Sequence, residues 1–287
     1  MAITYNNLYL DLRRQLQQAA PQGATLEARE LVCFTTGKSR EELVRDGALY
    51  VAPETEQRTR ELAERHLAGE PVAYLIGEWE FYGLPLDIST AVLIPRTDTE
   101  VLAAQAIDWL QGQEKCRVLD LCAGSGCLGL AIAAHVAEAH VTLGEISDEA
   151  LKICRQNIRR NSLAGVSAMR MDALGKPPRG LGEFRCIVSN PPYIPSADIA
   201  ALDSSVRDYE PALALDGGDD GLDFYRAIAA KWRDALAPGG RLYFEVGIGQ
   251  ADAVLRIMRG VGFGDIQVVQ DTGGVPRVVF GTLLTEV

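Results

Sequence analysis

From about Thr97 onward, short apolar strands alternate with helices, and few folds accept that order. Arg117-Val118-Leu119-Asp120-Leu121 reads as a strand and Leu128 to Val136 as a helix. Val141 to Gly144 is a second strand, ending at Glu145, and a helix follows from Asp148 to about Asn161. Val166 to Met171 is a third strand, ending at Asp172, and residues 184–189 form a fourth. Leu222 to Leu236 reads as a helix stopped by Pro238-Gly239-Gly240. Arg241 to Val246 is a fifth strand, followed by a helix from about Gln250 to Arg259. Ile266 to Gln270 and Arg277 to Thr282 close the sheet. Regular βαβ alternation predicts a parallel sheet with helices on both faces.

The first 70 or so residues contain no strand. Leu8, Leu12 and Leu16 recur at helical spacing, and Leu26 to Phe34 is a second apolar helical run closed near Gly37. Ser39-Arg40-Glu41-Glu42 is a capping box. Pro53 opens a long polar helix ending near Gly69, with Glu54 and Glu56 in its first turn, where the helix dipole favours anions. Between Tyr74 and Ser89, residues Trp79, Phe81, Leu84, Leu86 and Ile88 alternate around Gly83, the pattern of a β-hairpin. The expected division is a helical bundle over 1–72, a hairpin linker over 73–92 and an α/β domain over 93–287.

Charge and thiol content narrow the function. A net charge of -11 and a pI near 4.9 disfavour general affinity for a phosphate backbone. The N-terminus lacks a basic start followed by an apolar stretch, and no apolar run reaches the roughly 18 residues of a membrane span. The six cysteines form no C-x-x-C pair, which fits reduced thiols in the cytoplasm. With three histidines and no His/Cys cluster, zinc is not expected. A monomer is expected.

Four places carry candidate chemistry. The turn Cys122-Ala123-Gly124-Ser125-Gly126, after Asp120-Leu121, joins a strand to a helix, and glycine there lets backbone approach a ligand closely. It lacks both the G-x-G-x-x-G and the phosphate-loop spacings, so neither a dinucleotide nor a triphosphate is indicated, and a plain βα turn stays open. Glu145, about 20 residues on, is placed to accept ribose hydroxyls. Asp172 is placed to accept an exocyclic adenine amine. Glu145, taken singly, also reads as a solvated carboxylate or a helix-start charge. Together the three strands deliver such residues to the carboxyl edge, where open α/β sheets bind ligands. The fourth place is Asn190-Pro191-Pro192-Tyr193, directly after the strand at 184–189. The Asn190 amide oxygen can accept from a substrate N–H. The prolines have no N–H to compete for the local carbonyls, and Tyr193 offers a flat ring. The set suits an amide or an aromatic amine.

With these residues placed, the chain resembles the protein glutamine-N5 methyltransferases that act on peptide-chain release factors (the PrmC/HemK family). The likeness runs through Gly77-Glu78-Trp79-Glu80-Phe81-Tyr82-Gly83-Leu84 and Leu93-Ile94-Pro95-Arg96-Thr97-Asp98-Thr99-Glu100. It continues through 206–215 and Gly217-Gly218-Asp219-Asp220-Gly221-Leu222-Asp223-Phe224-Tyr225. The resemblance implies a seven-stranded, Rossmann-like class I sheet that uses S-adenosylmethionine and releases S-adenosylhomocysteine. It implies that the donor lies along residues 122–126, with Glu145 on the ribose, Asp172 near the adenine, and Asn190 and Arg96 also at the donor. The substrate implied is the glutamine of a Gly-Gly-Gln loop in class-1 release factors. Its amide would be held by Asn190, the Pro191 carbonyl and Pro192, with Tyr193 against the amide plane. Arg96 would order the methionine end of the donor or a lid above it. The helical bundle reads as a module that docks the protein substrate, since a donor pocket alone does not need it; its alternative is a stabilising cap over the hairpin. A ribosomal-protein glutamine methyltransferase, an adenine-N6 methyltransferase and a non-catalytic docking protein are the alternatives. The chain departs from the family pattern at Cys122, where glycine is usual, at Ala123 and Ser125, which replace threonines, and at Ala173, where many members carry an aromatic residue.

Overall fold

A computed structural model describes residues 2–19, 21 and 23–284. The end residues of the expected domains, Met1 and Val287, lie outside these. The chain forms two compact units, Met1–Gly77 and Glu78–Val287.

The first unit is helical: α1 (Tyr5–Ala19), α2 (Ala24–Thr36), α3 (Arg40–Arg45), α4 (Pro53–Leu67) and α5 (Val72–Ile76). Leu8, Leu12 and Leu16 of α1 are buried with Leu31 and Val32 of α2 and Leu62 of α4, as their periodicity requires. The capping box forms: Glu42 N donates to Ser39 Oγ at 3.1 Å, and Ser39 N donates to Glu42 Oε2 at 2.9 Å. Thr59, fully buried, pairs with the Thr35 hydroxyl at 2.7 Å and donates to Thr55 O, so this core hides no unpaired hydroxyl there. Tyr74 lies in α5, so the hairpin begins later than its alternation suggested.

The second unit opens with that hairpin, β1 (Glu78–Phe81) and β2 (Leu84–Asp87), turned by Tyr82 and Gly83, both at positive φ (50° and 76°). Next come α6 (Thr99–Leu110), β3 (Arg117–Leu121), α7 (Cys127–His135), β4 (His140–Glu145), α8 (Asp148–Arg160), β5 (Val166–Arg170) and β6 (Phe184–Ser189). A single-turn helix, α9 (Ser204–Arg207), precedes α10 (Asp223–Lys231), β7 (Leu236–Glu245), α11 (Ala251–Gly260), β8 (Phe263–Gln270) and β9 (Pro276–Leu283). The larger sheet has seven strands in the order β5-β4-β3-β6-β7-β9-β8. It has the seven strands that the resemblance implies, and its central strands β3 and β6 are buried almost throughout, as continuous apolar runs predict.

Three differences from the expected fold have physical causes. The sheet is mixed: β9 is antiparallel to both β7 and β8. The connection from β8 to β9 is a tight turn built on Asp271, which accepts from Gly273 N and Val275 N, and so short a link permits only a hairpin. The helix expected to reach Leu236 stops at Lys231, where the Trp232 ring is fully buried and its Nε1 donates to Ala173 O at 3.0 Å. Pro238-Gly239-Gly240 consequently falls inside β7 as an irregularity in its pairing with β6, with Gly239 at φ 69°.

Candidate active site

The site follows from strand order. From β3 the chain steps to β4 and β5 on one side, then crosses to β6 on the other side of β3. The carboxyl ends of β3 and β6 therefore flank the topological switch point, where a crevice opens. Leu121 pairs with Ser189, and Ser189 Oγ donates to Leu121 O at 2.7 Å, which fixes the two ends together.

Beyond β3 the chain turns on three residues with positive φ: Cys122 (61°), Gly124 (56°) and Gly126 (85°). A side chain in that conformation is strained, which explains why glycine suits position 122 and what the cysteine there must bear. Burial pushes the Cys122 thiol far above its ordinary range, so it is no thiolate nucleophile. A Cβ on Gly126 would come within 2.9 Å of Leu143 Cδ1, whereas one on Gly124 would meet nothing within 4 Å. The turn is also tied from behind, because buried Asn157 donates from Nδ2 to Ser125 O at 2.9 Å and Asp87 O at 3.1 Å.

Glu145, at the end of β4, is the anchor of this turn. Its Oε2 accepts from Gly124 N at 2.9 Å, and its Oε1 accepts from Ile146 N at 2.8 Å and Ser147 N at 2.9 Å. Three of about four acceptor sites are used, so the carboxylate is fixed in place with capacity left for a ligand hydroxyl. Asp172 lies two residues beyond β5, is exposed, and accepts from Leu174 N through Oδ1. Asp120 is buried within β3. Its Oδ2 accepts from Gly129 N at 2.9 Å, and its Oδ1 has no partner. Burial pushes its pKa up to about 7, the Gly129 N–H draws it back, and the Glu145 charge adds to the rise.

Asn190 follows β6 directly and donates from Nδ2 to Thr99 Oγ1 at 3.4 Å. Pro191 and Pro192 are buried and Tyr193 is half-buried. The Tyr193 main chain is held from both sides. Gln250 Nε2 donates to Tyr193 O at 2.9 Å, and Gln250 Oε1 accepts from Gly247 N. A Cβ at Gly217 would lie 2.7 Å from Tyr193 Cα, and one at Gly221 would lie 2.3 Å from Tyr193 O. The glycine-rich segment 217–221 is therefore a close-packed wall for the Asn-Pro-Pro-Tyr turn. Arg96 Nη2 donates to Glu210 Oε1 at 2.5 Å, linking the Pro95-Arg96 segment to the chain before Pro211.

These elements enclose a cavity of about 650 Å³, within the range of small-ligand sites. Its wall includes Arg96, Asp120, Cys122, Ala123, Gly124, Ser125, Glu145, Asp172, Asn190 and Pro192. Gly126, Pro191 and Tyr193, also singled out from the sequence, are not among the residues that line it; the Tyr193 ring packs toward Gly247 and the core. Thr99, Glu210, Glu245 and Gln250 were missed. Glu245 left a signal, being one more acidic residue at the carboxyl end of a strand; Gln250 left none.

Comparison with known proteins decides the family. Residues 85–207 match the Methyltransferase small domain and residues 8–77 the PrmC N-terminal domain. A release factor glutamine methyltransferase of Geobacter sulfurreducens is 39% identical over 271 residues, covering 94% of each chain. One from Bordetella pertussis is 38% identical over 265 residues, covering 92% of this chain and 97% of that one. The chain belongs to the release factor glutamine methyltransferases. A crystal structure of a methyltransferase from Pyrococcus furiosus, 18% identical with a TM-score of 0.53, covers 78% of this chain and 99% of that one and shares the fold.

Membership makes the protein a methyltransferase that uses S-adenosylmethionine, and the cavity suits that donor. Asp120 Oδ1 and Ser125 Oγ are buried on its wall without partners, acceptors that an ammonium group would satisfy. Glu145 offers a fixed carboxylate for hydroxyls, and Gly124 leaves open space where a side chain would intrude. Among the described residues, no cluster of His, Cys, Asp and Glu could hold a metal ion, and no helix is long and apolar enough to cross a membrane.

Proposed function

We propose that this enzyme methylates the side-chain amide nitrogen of the glutamine in the Gly-Gly-Gln loop of class-1 peptide-chain release factors. One observation carries the reading: Asn190, at the switch point, shares a cavity wall with the Glu145 carboxylate and the Gly124 turn. In this reading, an acceptor for an amide N–H and a seat for the donor face the same space.

S-adenosylmethionine, when bound, supplies an electrophilic methyl carbon on a sulfonium sulfur. In this reading Asp120 and Ser125 receive the donor's amino-acid end, Glu145 a ribose hydroxyl, and Asp172 Oδ2 the adenine amine. Ile146 and Leu174, on the same wall, flank the adenine face that Ala173 is too small to cover. Arg96 acts through Glu210, tying down the segment beside the cavity mouth.

An amide nitrogen shares its lone pair with its carbonyl and is a poor nucleophile. Asn190 Oδ1 and the Pro191 carbonyl, each accepting one N–H, favour a pyramidal nitrogen and stabilise the positive charge that grows on it. One well-placed acceptor of this kind contributes roughly 3–4 kcal/mol. Alignment at about 3–3.5 Å from the methyl carbon supplies the rest. No strong base is needed, because the nitrogen becomes acidic once methylated and its proton leaves to water. Tyr193 supports the turn from behind, and its phenol, pushed up to about 12 chiefly by burial, stays protonated. The first unit, residues 1–77, is the module that meets the folded substrate.

Incubation of the protein and donor with a class-1 release factor, a ribosomal protein or an adenine-containing duplex, followed by intact-mass analysis, tests the assignment. The reading requires one added CH₂ on the Gly-Gly-Gln glutamine of the release factor. Methylation only of the ribosomal protein or the duplex would replace it.

A further inference from the structure

Glu245 is buried (3% exposed) and ends β7, the strand next to β6. Ser189 pairs with Phe244, so Asn190 and Glu245 leave the sheet side by side. Its Oε2 has no hydrogen-bond partner. Thr99, buried at the first turn of α6, accepts from Asn190 Nδ2, and the side chains of Thr99 and Asn190 both draw the Glu245 carboxyl pKa down. Burial outweighs them and pushes that pKa up to about 7, with Arg277 lowering it and Asp98 raising it. Arg277 is no dedicated counter-ion, since it also pairs with Asp98 at 3.0 Å and Asp271 at 2.9 Å.

A carboxamide can present either its oxygen or its NH₂ to a ligand, and its neighbours choose. An ionised carboxylate only accepts hydrogen bonds, so it draws the NH₂ toward itself. Donation to an anion also polarises the amide and makes its oxygen a better acceptor. We propose that Glu245 and Thr99 are positioning residues for methyl transfer: they hold the Asn190 NH₂ toward the protein, so that Oδ1 is what Asn190 presents to the substrate amide. The proposal rests on the function assigned above and adds how the tetrad is aimed. When Glu245 is protonated, its O–H can donate to Oδ1 and the amide can flip. Charging Glu245 therefore turns transfer on, and kcat rises with pH through about 7. The ionisable groups facing Glu245 are Asp98 before α6, Arg277 on β9, Tyr193 after β6, Tyr225 on α10 and Cys127 on α7. Asp120, on β3, is another carboxyl pushed up to about 7, so the pH profile of Glu245→Gln is what separates the two.

The test uses the full-length protein with labelled donor and a full-length class-1 release factor. Donor affinity, KM and kcat are measured between about pH 6 and pH 9 for the wild type, Glu245→Gln, Thr99→Val and Asn190→Ala. The expected Glu245→Gln enzyme binds donor within about twofold of wild type and keeps KM within about threefold. It loses roughly tenfold or more in kcat and loses the rise near pH 7. Thr99→Val lowers kcat less and keeps that rise. A Glu245→Gln enzyme with wild-type kcat and an unchanged pH profile overturns the proposal. If that variant does not fold, Thr99→Val decides, and an unchanged kcat overturns it. A fully active Asn190→Ala removes the assigned function itself, whereas an inactive Asn190→Ala beside fully active Glu245→Gln and Thr99→Val removes only the role of Glu245 and Thr99.

Discussion

Gly129 shows how tightly single positions are set. It lies inside α7, where alanine is the better helix former, yet a Cβ there would sit 2.3 Å from Leu143 Cδ2 and 3.1 Å from Asp120 Oδ2. Gly129→Ala is expected to lower stability by about 2 kcal/mol through overpacking, read as a fall in melting temperature. A neutral or stabilising result would mean that α7 does not press on β4 here. Gly124 is the contrast, because its added Cβ meets open space on the cavity wall at a strained φ. Gly124→Ala is expected to cost about 1–2 kcal/mol in stability and to weaken donor binding measurably by calorimetry. Asp120 adds a pH signature. Its folded pKa of about 7 lies above the ordinary carboxylate value, so its contribution to stability is full below about pH 4 and is lost as pH rises through about 7. Asp120→Asn keeps an acceptor for Gly129 N and carries no charge. Without donor, it is expected to melt higher than wild type at pH 8, by an amount on the order of 2–4 kcal/mol, and no higher at pH 4. Equal melting at both pH values would show that Asp120 is already solvated in the free enzyme.

At the scale of elements, the carboxyl ends of β3, β4, β6 and β7 converge, and much of this was legible in the sequence. Leu119 and Ile187 belong to apolar runs buried on both faces, so period and length alone placed the strands, and the residues that follow them fell on one edge. What stayed hidden depends on pairing between distant segments. Glu245 meets Asn190 only because Ser189 registers with Phe244, and Gln250 reaches Tyr193 O across 57 residues of sequence. Pro238-Gly239-Gly240 misled because the local stop signal was real, yet β7 absorbed it as a bulge. Gln250→Ala leaves Tyr193 O and Gly247 N without their side-chain partner. It is expected to lower stability by about 1–3 kcal/mol and to slow transfer while donor affinity holds. Full activity in that variant would mean that the tetrad is rigid without this clamp.

Taken whole, the molecule has two units of different character. The second unit encloses the cavity, while the first has a hydroxyl-satisfied helical core and exposes Val44 (84%), Leu49 (58%) and Tyr50 (69%) close together in sequence. Apolar side chains left in water suit contact with a protein partner. Val44→Lys combined with Leu49→Lys is expected to raise KM for the release factor several-fold with donor affinity unchanged; an unchanged KM would remove this surface from substrate docking. The acidic balance that disfavoured nucleic acid is a property of the entire chain, and it left the protein substrate to be recognised from the tetrad and the family. The most direct test of the central claim is a single-turnover measurement with labelled donor already bound, comparing wild type with Asn190→Ala on the same release factor. If a carboxamide holds the substrate amide beside the methyl carbon, transfer slows by about 10²–10³-fold with donor affinity unchanged, whereas transfer within a few-fold of wild type would contradict it.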